Sequence, residues 1–320
     1  MKVLVIGKSG QLGWELSRAV APLGSVIATD RESLNLEDVS QIRSRIREIA
    51  PDVIINAAAY TDVDRAESEP DRAYAINGAA PEAIADEAHR RAALFVHFST
   101  DYVFDGTRVG AYVEDDPVNP LNVYGASKAF GERAVLAANS DALIIRTSWL
   151  YAARGKNFLL GILDRIRRHE PLEIVADQFG APTYARVVAE AVAALLMRLV
   201  YTAEDRRILR TGTAGIYHLT ANGQASWFEF ALAIREVAQT REGVSTTITA
   251  NPSSRRRTAA RRPLNSRLSN RKFLDTFGFA LPDWHVGLHR CFDDLTAVQA
   301  GIDTAHAQVS ERVSPNEQYD

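Results

Sequence analysis

Apolar residues fall along this chain in two patterns. Short runs that are almost continuously apolar recur through the first half: Lys2 to Ile6, Val26 to Thr29, Asp52 to Asn56, Leu94 to Phe98 and Ala142 to Arg146. Such runs suit strands covered on both faces. Between them, Gln11 to Val20 and Glu37 to Ile49 carry apolar residues at helical spacing. Strands alternating with helices predict an α/β fold, a doubly wound Rossmann-type parallel sheet. Right-handed crossovers then bring every strand's carboxyl end to one edge, where ligands bind.

The second half is less regular. Val187, Val188, Ala191, Val192, Leu195, Leu196 and Leu199 repeat at helical spacing and predict one amphipathic helix. Trp227 to Val237 predicts another, with Ser226 as its cap. Thr202 to Gly215 reads as a surface loop and Asn251 to Pro263 as an arginine-rich loop; the last twenty residues are polar and aperiodic, which suits a mobile tail. The expected organisation is a dinucleotide-binding domain over 1–150, rejoined by segments from about 177–220, a smaller α/β substrate lobe over 151–300, and a tail over 301–320.

Composition narrows the class. At 320 residues the chain can hold a nucleotide-binding domain and a second lobe, and 46% hydrophobic against 24% charged residues supports a buried core. A formal net charge of −3 gives no reason to expect nucleic acid or a membrane surface as partner. Cys291, the single cysteine, excludes an intrachain disulfide and a thiolate metal cluster. The opening MKVLVIGKSG is apolar too briefly for a signal peptide or a membrane span, so a cytoplasmic setting is expected.

Candidate chemistry lies at the strand ends. Gly7-Lys8-Ser9-Gly10-Gln11-Leu12-Gly13 spaces glycines G-x-x-G-x-x-G between a strand and a helix. Gly7 permits a tight turn, Gly10 lets backbone approach a pyrophosphate, and Gly13 lets the helix pack close to the sheet. Free N–H groups at the helix start favour phosphates. Asp30 ends the second strand, seventeen residues after Gly13, where a carboxylate can accept from ribose hydroxyls and favour NADH. Arg31 and Lys8 could instead face a 2′-phosphate and admit NADPH, so both cofactors stay open.

Tyr124 and Lys128 form Y-x-x-x-K, one helical turn apart. A nearby ammonium favours the phenolate, which brings tyrosine closer to proton exchange with a carbonyl or alkoxide. Alone, the spacing is common and usually marks an ordinary surface pair. Here Thr100 stands at the end of the fourth strand, placed to donate to a substrate oxygen that gains charge, although a turn cap would explain it as well.

With the blocks GKSGQLGWEL (7–16), NAAAYTDVDRAE (56–67), STDYVFDG (99–106), NPLNVYGASKAFGE (119–132), RTSWLY (146–151), DQFGAPT (177–183) and RRPLNSRL (261–268), the chain resembles the extended short-chain dehydrogenase/reductase family, and within it the reductases that make dTDP-L-rhamnose. The resemblance runs from Met1 to about Leu295. It implies Tyr124 as proton donor, Lys128 as its partner and ribose ligand, and Thr100 as a tuning hydroxyl. It implies Gly10, Gln11, Leu12, Asp30, Asn35, Leu36, Ala59, Tyr60 and Thr61 around the cofactor. Asp101, Tyr102 and Trp149 would contact a sugar nucleotide, Trp149 having core packing as its alternative. Some members pair as homodimers through a Mg²⁺ bridge, for which Glu15, Glu190 and Asp294 are the matching carboxylates; exposed helix carboxylates are the equal alternative. Residues 253–260 are more basic and less proline-rich than the pattern.

Two rival functions share parts of this pattern. A sugar-nucleotide epimerase or dehydratase has the same glycine loop and Y-x-x-x-K, but a dehydratase wants two carboxylates at the fourth strand's end, and Thr100-Asp101 gives one. A non-catalytic, dinucleotide-binding regulatory subunit would not need Thr100, Tyr124 and Lys128 intact together.

Overall fold

The computed structural model describes residues 1–201 and 213–297. Its strands are β1 (Lys2–Ile6), β2 (Ser25–Thr29), β3 (Val53–Asn56), β4 (Leu94–Thr100), β5 (Leu143–Thr147), β6 (Leu150–Tyr151), β7 (Leu172–Val175), β8 (Phe179–Gly180), β9 (Thr183–Tyr184), β10 (Gly215–His218), β11 (Ala225–Ser226) and β12 (Ile248–Asn251). The helices are α1 (Gln11–Ala19), α2 (Val39–Ile49), α3 (Val63–Ala66), α4 (Pro70–Tyr74), α5 (Ala80–Arg90), α6 (Val123–Ala138), α7 (Phe158–Arg167), α8 (Ala185–Tyr201), α9 (Trp227–Glu242) and α10 (Arg271–Phe277), with a last helix over 284–297. No helix among the described residues is long and apolar enough to cross a membrane.

Six strands form one sheet in the order β10-β5-β4-β3-β1-β2, every pair parallel. The reason its strands are continuously apolar is visible in the packing. Val3 and Val5 point into one core cluster with Leu16 of α1 and Val188 and Val192 of α8. Leu4 and Ile6 point into a second with Ile42 and Ile46 of α2 and Ile84 of α5. Ile54, Phe95 and Ile144 repeat the second set, while Val53, Val96 and Leu143 repeat the first. Each such side chain contributes about 1.5–3 kcal/mol by leaving water. A polar residue inside these strands therefore needs a partner, and that requirement matters for Asn56 and His97 below.

From β1 the chain passes outward to β2, then returns to β3 on the other side of β1. That reversal opens a crevice beyond the carboxyl ends of β1 and β3, the usual ligand position in such sheets.

Several boundaries differ from the sequence expectation. The fourth strand continues through Ser99 and Thr100. The second helix starts at Val39, because Asp38 caps it by accepting from the Gln41 N–H, so Glu37 lies outside. The expected loop from Thr202 falls mostly outside the described residues, but its end, Gly215, opens a sixth strand of the main sheet beside β5. That strand was not foreseen: Gly-Ile-Tyr-His has one aliphatic residue and no clear period. The predicted tail over 301–320 also lies outside the described residues. Ser226 caps α9 in a reciprocal capping box with Glu229, as its sequence suggested. Beyond the main sheet, β7 pairs with β12, β8 with β11 and β6 with β9. Past Asn251 and a short turn at Ser253–Arg255, the arginine-rich stretch is irregular.

Candidate active site at the carboxyl edge of the sheet

The glycine loop is closed on itself. A Cβ on Gly13 would lie 2.0 Å from the Gly7 carbonyl oxygen, and Gly7 has φ +99° with its α-carbon face pressed on Ala58. Gly10 begins α1 without a side-chain cap, which leaves the first-turn N–H groups to a ligand. A cavity of about 650 Å³ opens in front of this turn.

The cavity gathers nearly all the cofactor residues expected. Gly7, Gly10, Gln11 and Leu12 form one wall, Asp30, Asn35 and Leu36 a second, and Ala59, Tyr60 and Thr61 a third. Gly13 does not reach it and acts only in the packing of the turn. Asp30 accepts from the Ser33 hydroxyl at 2.7 Å and from its N–H at 3.0 Å, and Lys8 lies 3.0 Å from its other oxygen. These bonds, Ser33 first, hold the carboxyl well below the usual range. Arg31 also lines the cavity. The Tyr60 phenol is tied to Glu69 at 2.9 Å, so the residue offers the cavity its backbone and ring.

Sequence reasoning missed the far rim, made by Gly155, Lys156 and Asn157. Asn157 caps α7 at Leu160 and donates to the Gln11 side chain at 2.9 Å, fastening this loop over the start of α1. The capping pattern Asn-Phe-Leu-Leu was the one available signal; nothing in it pointed to the cavity.

At the inner end stand the groups expected to react. Asn122 caps α6 at Gly125, which sets the first turn holding Tyr124 and places Lys128 one turn deeper. Thr100, Asp101, Tyr124, Lys128 and Trp149 all line the cavity; Tyr102 does not, standing behind Tyr124 edge to face at 5.8 Å. Lys128 is 2% exposed and donates to the Phe98 carbonyl at 2.6 Å. Burial pushes its ammonium down to about 8. Burial pushes the Tyr124 phenol up to about 12, with the Thr100 hydroxyl acting against it and the Asp101 charge reinforcing it. Thr100 donates to Asp101 Oδ1 at 2.9 Å and accepts from the Tyr102 N–H, so the turn-cap alternative and the active-site placement hold together. Asp101 is pushed up to about 7, mainly by burial.

Three buried polar atoms on the cavity wall have no protein partner: Ser99 Oγ, Asp101 Oδ2 and Thr147 Oγ1. Buried polar groups are normally satisfied. Together with the unclaimed helix N–H groups they fit a polar dinucleotide and a hydroxylated substrate. Trp149 has φ +46°, and its ring stacks on Trp227 at 3.5 Å while Nε1 donates to Ser266. It therefore both packs and faces the cavity, which joins the two readings of that residue.

The three carboxylates weighed for magnesium are arranged differently. Arg186 lies between Glu15, at 3.1 Å, and Asp294, while Glu190 pairs with Arg290. Among the described residues no group of three His, Cys, Asp or Glu side chains could hold a metal. Guanidinium groups occupy the positions that a cation would neutralise, so the magnesium expectation does not fit this arrangement.

Sheet order, glycine turn and a Tyr–Lys pair at one edge define a Rossmann-like protein of the extended short-chain dehydrogenase/reductase type. The model of the RmlD substrate binding domain matches residues 1–297, and the chain belongs to that family. It is 45% identical over 299 residues to a dTDP-4-dehydrorhamnose reductase of Burkholderia thailandensis, covering 92% of this chain and 99% of the relative. With the dTDP-4-dehydrorhamnose reductase of Escherichia coli K12 it shares 41% identity over 307 residues, 94% of this chain and 100% of the relative. Among solved structures, a dTDP-4-dehydrorhamnose reductase from Bacillus anthracis in complex with NADP superposes with TM-score 0.82 at 34% identity, covering 92% and 99% of the two chains.

Proposed function

We propose that the chain reduces the C4 keto group of dTDP-4-dehydro-L-rhamnose to give dTDP-L-rhamnose, with NADPH or NADH as reductant, in the cytoplasmic supply of sugar nucleotides for cell-surface polysaccharide. The observation that carries this reading is one cavity that joins the phosphate-binding turn to Tyr124, Lys128 and Thr100, in a chain so similar to reductases of that name.

The nicotinamide, when bound, supplies the hydride. Tyr124 protonates the sugar O4 as charge develops there. Thr100 turns its hydroxyl from Asp101 to the same oxygen and steadies it. Lys128, anchored on Phe98, holds the nicotinamide ribose. Gly10, Gln11 and Leu12 present N–H groups to the pyrophosphate, and Asp30 meets the adenosine ribose. Asp101 and Trp149 bound the sugar side, with Tyr102 packed behind Tyr124, and the residues after Trp149 form the lobe for thymidine diphosphate. A dehydratase would need a second carboxylate beside Asp101, where Tyr102 stands instead.

The test is oxidation of NADPH and NADH by the purified chain with dTDP-4-dehydro-L-rhamnose, with and without a chelator. Stoichiometric consumption of reductant supports the reading and separates it from an epimerase, which recycles its cofactor. No oxidation with either reductant would sink it.

A further inference from the structure

We infer that His97 is a positioning residue for Lys128: through a tautomer fixed by Asn56, it sets where the lysine nitrogen sits and favours its uncharged amine. The inference rests on the proposed role of Lys128 only for its catalytic consequence.

The three side chains form a sealed row across β3, β4 and α6. Asn56 and His97 are fully buried and Lys128 is 2% exposed. Asn56 Oδ1 accepts from the Ala58 N–H at 3.1 Å, which fixes the amide and leaves Nδ2 facing His97 Nδ1 at 3.2 Å. An amide NH₂ only donates, so Nδ1 must be the accepting nitrogen and the neutral ring carries its proton on Nε2. Nε2 lies 3.3 Å from Lys128 Nζ. An N–H aimed at an ammonium is repulsive, whereas the same N–H aimed at an amine is a hydrogen bond. Among the described residues Nζ thus has one acceptor, the Phe98 carbonyl, and one donor, the His97 ring. That set matches an amine better than an ammonium, which has three protons and no lone pair.

The ring cannot escape by taking a second proton. Burial, and then the Lys128 charge, hold His97 well below its ordinary range. The other charge facing Lys128 is Glu132 on its own helix, which favours the ammonium. Glu132 is bonded to Arg146 at 2.8 and 2.7 Å, which blunts that effect. Tyr124, one turn back, adds a neutral phenol. Hydroxyl oxygens of a bound ribose would add acceptors at Nζ and favour the ammonium, so ligand binding should raise the lysine midpoint.

Two measurements test this, and the first needs no variant and no turnover. Nitrogen-15 NMR of the histidine rings in the native protein should show His97 protonated on Nε2 and bare on Nδ1. A proton on Nδ1 overturns the inference. In the second, the Lys128 side-chain resonance is titrated in the native chain and in His97→Gln and Asn56→Ala. The first variant can turn an amide oxygen to Nζ; the second keeps the ring but frees its tautomer. Both should raise the lysine midpoint by about one pH unit, and the corresponding limb of kcat/KM against pH should move with it. A structural role alone lowers the rate equally at every pH. Unmoved midpoints in a folded variant also overturn the inference. If the native chain turns over no keto sugar, the functional reading fails while the tautomer and titration still decide this one.

Discussion

Arg146 and Glu132 form a bidentate ion pair, 2.8 and 2.7 Å long, with both side chains sealed from solvent. It ties the end of β5 to the face of α6 one turn beyond Lys128. The pair therefore acts on the position of Tyr124 and Lys128 as well as on stability. Removing one member leaves the other as an uncompensated buried charge. Glu132→Gln should cost about 3–5 kcal/mol, read as a lower urea midpoint. A change under 1 kcal/mol would show that the guanidinium finds another partner.

Tyr124→Phe removes the proposed proton donor and, with it, the phenol's hydrogen bond to Thr100. General acids contribute roughly 10²–10⁴-fold. Reductase kcat should fall by that factor while cofactor affinity, followed by fluorescence quenching, stays within about two-fold. Unchanged NADPH oxidation in the variant would remove Tyr124 from the mechanism.

Asp101 gives a pH signature. Its folded value, about 7, lies above the ordinary 3.8. A raised carboxyl contributes stability that is fully present below 3.8 and lost as pH rises through 7. The ceiling is about 4 kcal/mol, at roughly 1.4 kcal/mol per unit. Asp101→Asn should therefore look more stable than the native chain at pH 8, with the difference shrinking toward pH 4. Parallel stability curves for the two would contradict the buried, half-satisfied carboxyl seen here.

Cofactor preference should divide between two neighbours. Arg31 lines the cavity, and Lys8, outside its wall, pairs with Asp30, so both would bring positive charge to a 2′-phosphate bound there, whereas Asp30 would suit a 2′-hydroxyl. Lys8 is 43% exposed, so its effect is screened. Lys8→Ala should raise KM for NADPH several-fold, roughly five, with a smaller change for NADH. Asp30→Ala should shift the ratio the other way. Equal effects on both cofactors would place Lys8 outside the adenosine site.

Much of this molecule was legible from local pattern, and the reasons are physical. Strands covered on both faces must be apolar throughout, so Val3 to Ile6 and Val53 to Ile55 announce themselves. The glycine turn is legible because Gly13 has no room for a side chain. The Y-x-x-x-K pair is legible because one helical turn sets both groups. What escaped depends on distant chain. Gly215–His218 reads as nothing until β5 offers it an edge. Lys156 and Asn157 line the cavity on a loop that Asn157 ties to Gln11, far away in sequence. The carboxylates Glu15, Glu190 and Asp294 look like ligands until Arg186 and Arg290 are seen between them. Asn56 and His97 looked like ordinary strand residues, because hydrogen-bond direction is invisible to hydropathy.

The late strand β10 also sets a clock on synthesis. Thr147 leaves the ribosome long before Gly215, sixty-eight positions later, can pair with β5. At ordinary elongation speed that interval is roughly 3 to 14 s. Throughout it the nascent sheet shows an open, apolar edge, the kind that recruits other chains. A fragment ending at Thr147 would keep the β5 edge uncovered, so it is expected to self-associate where the full chain does not.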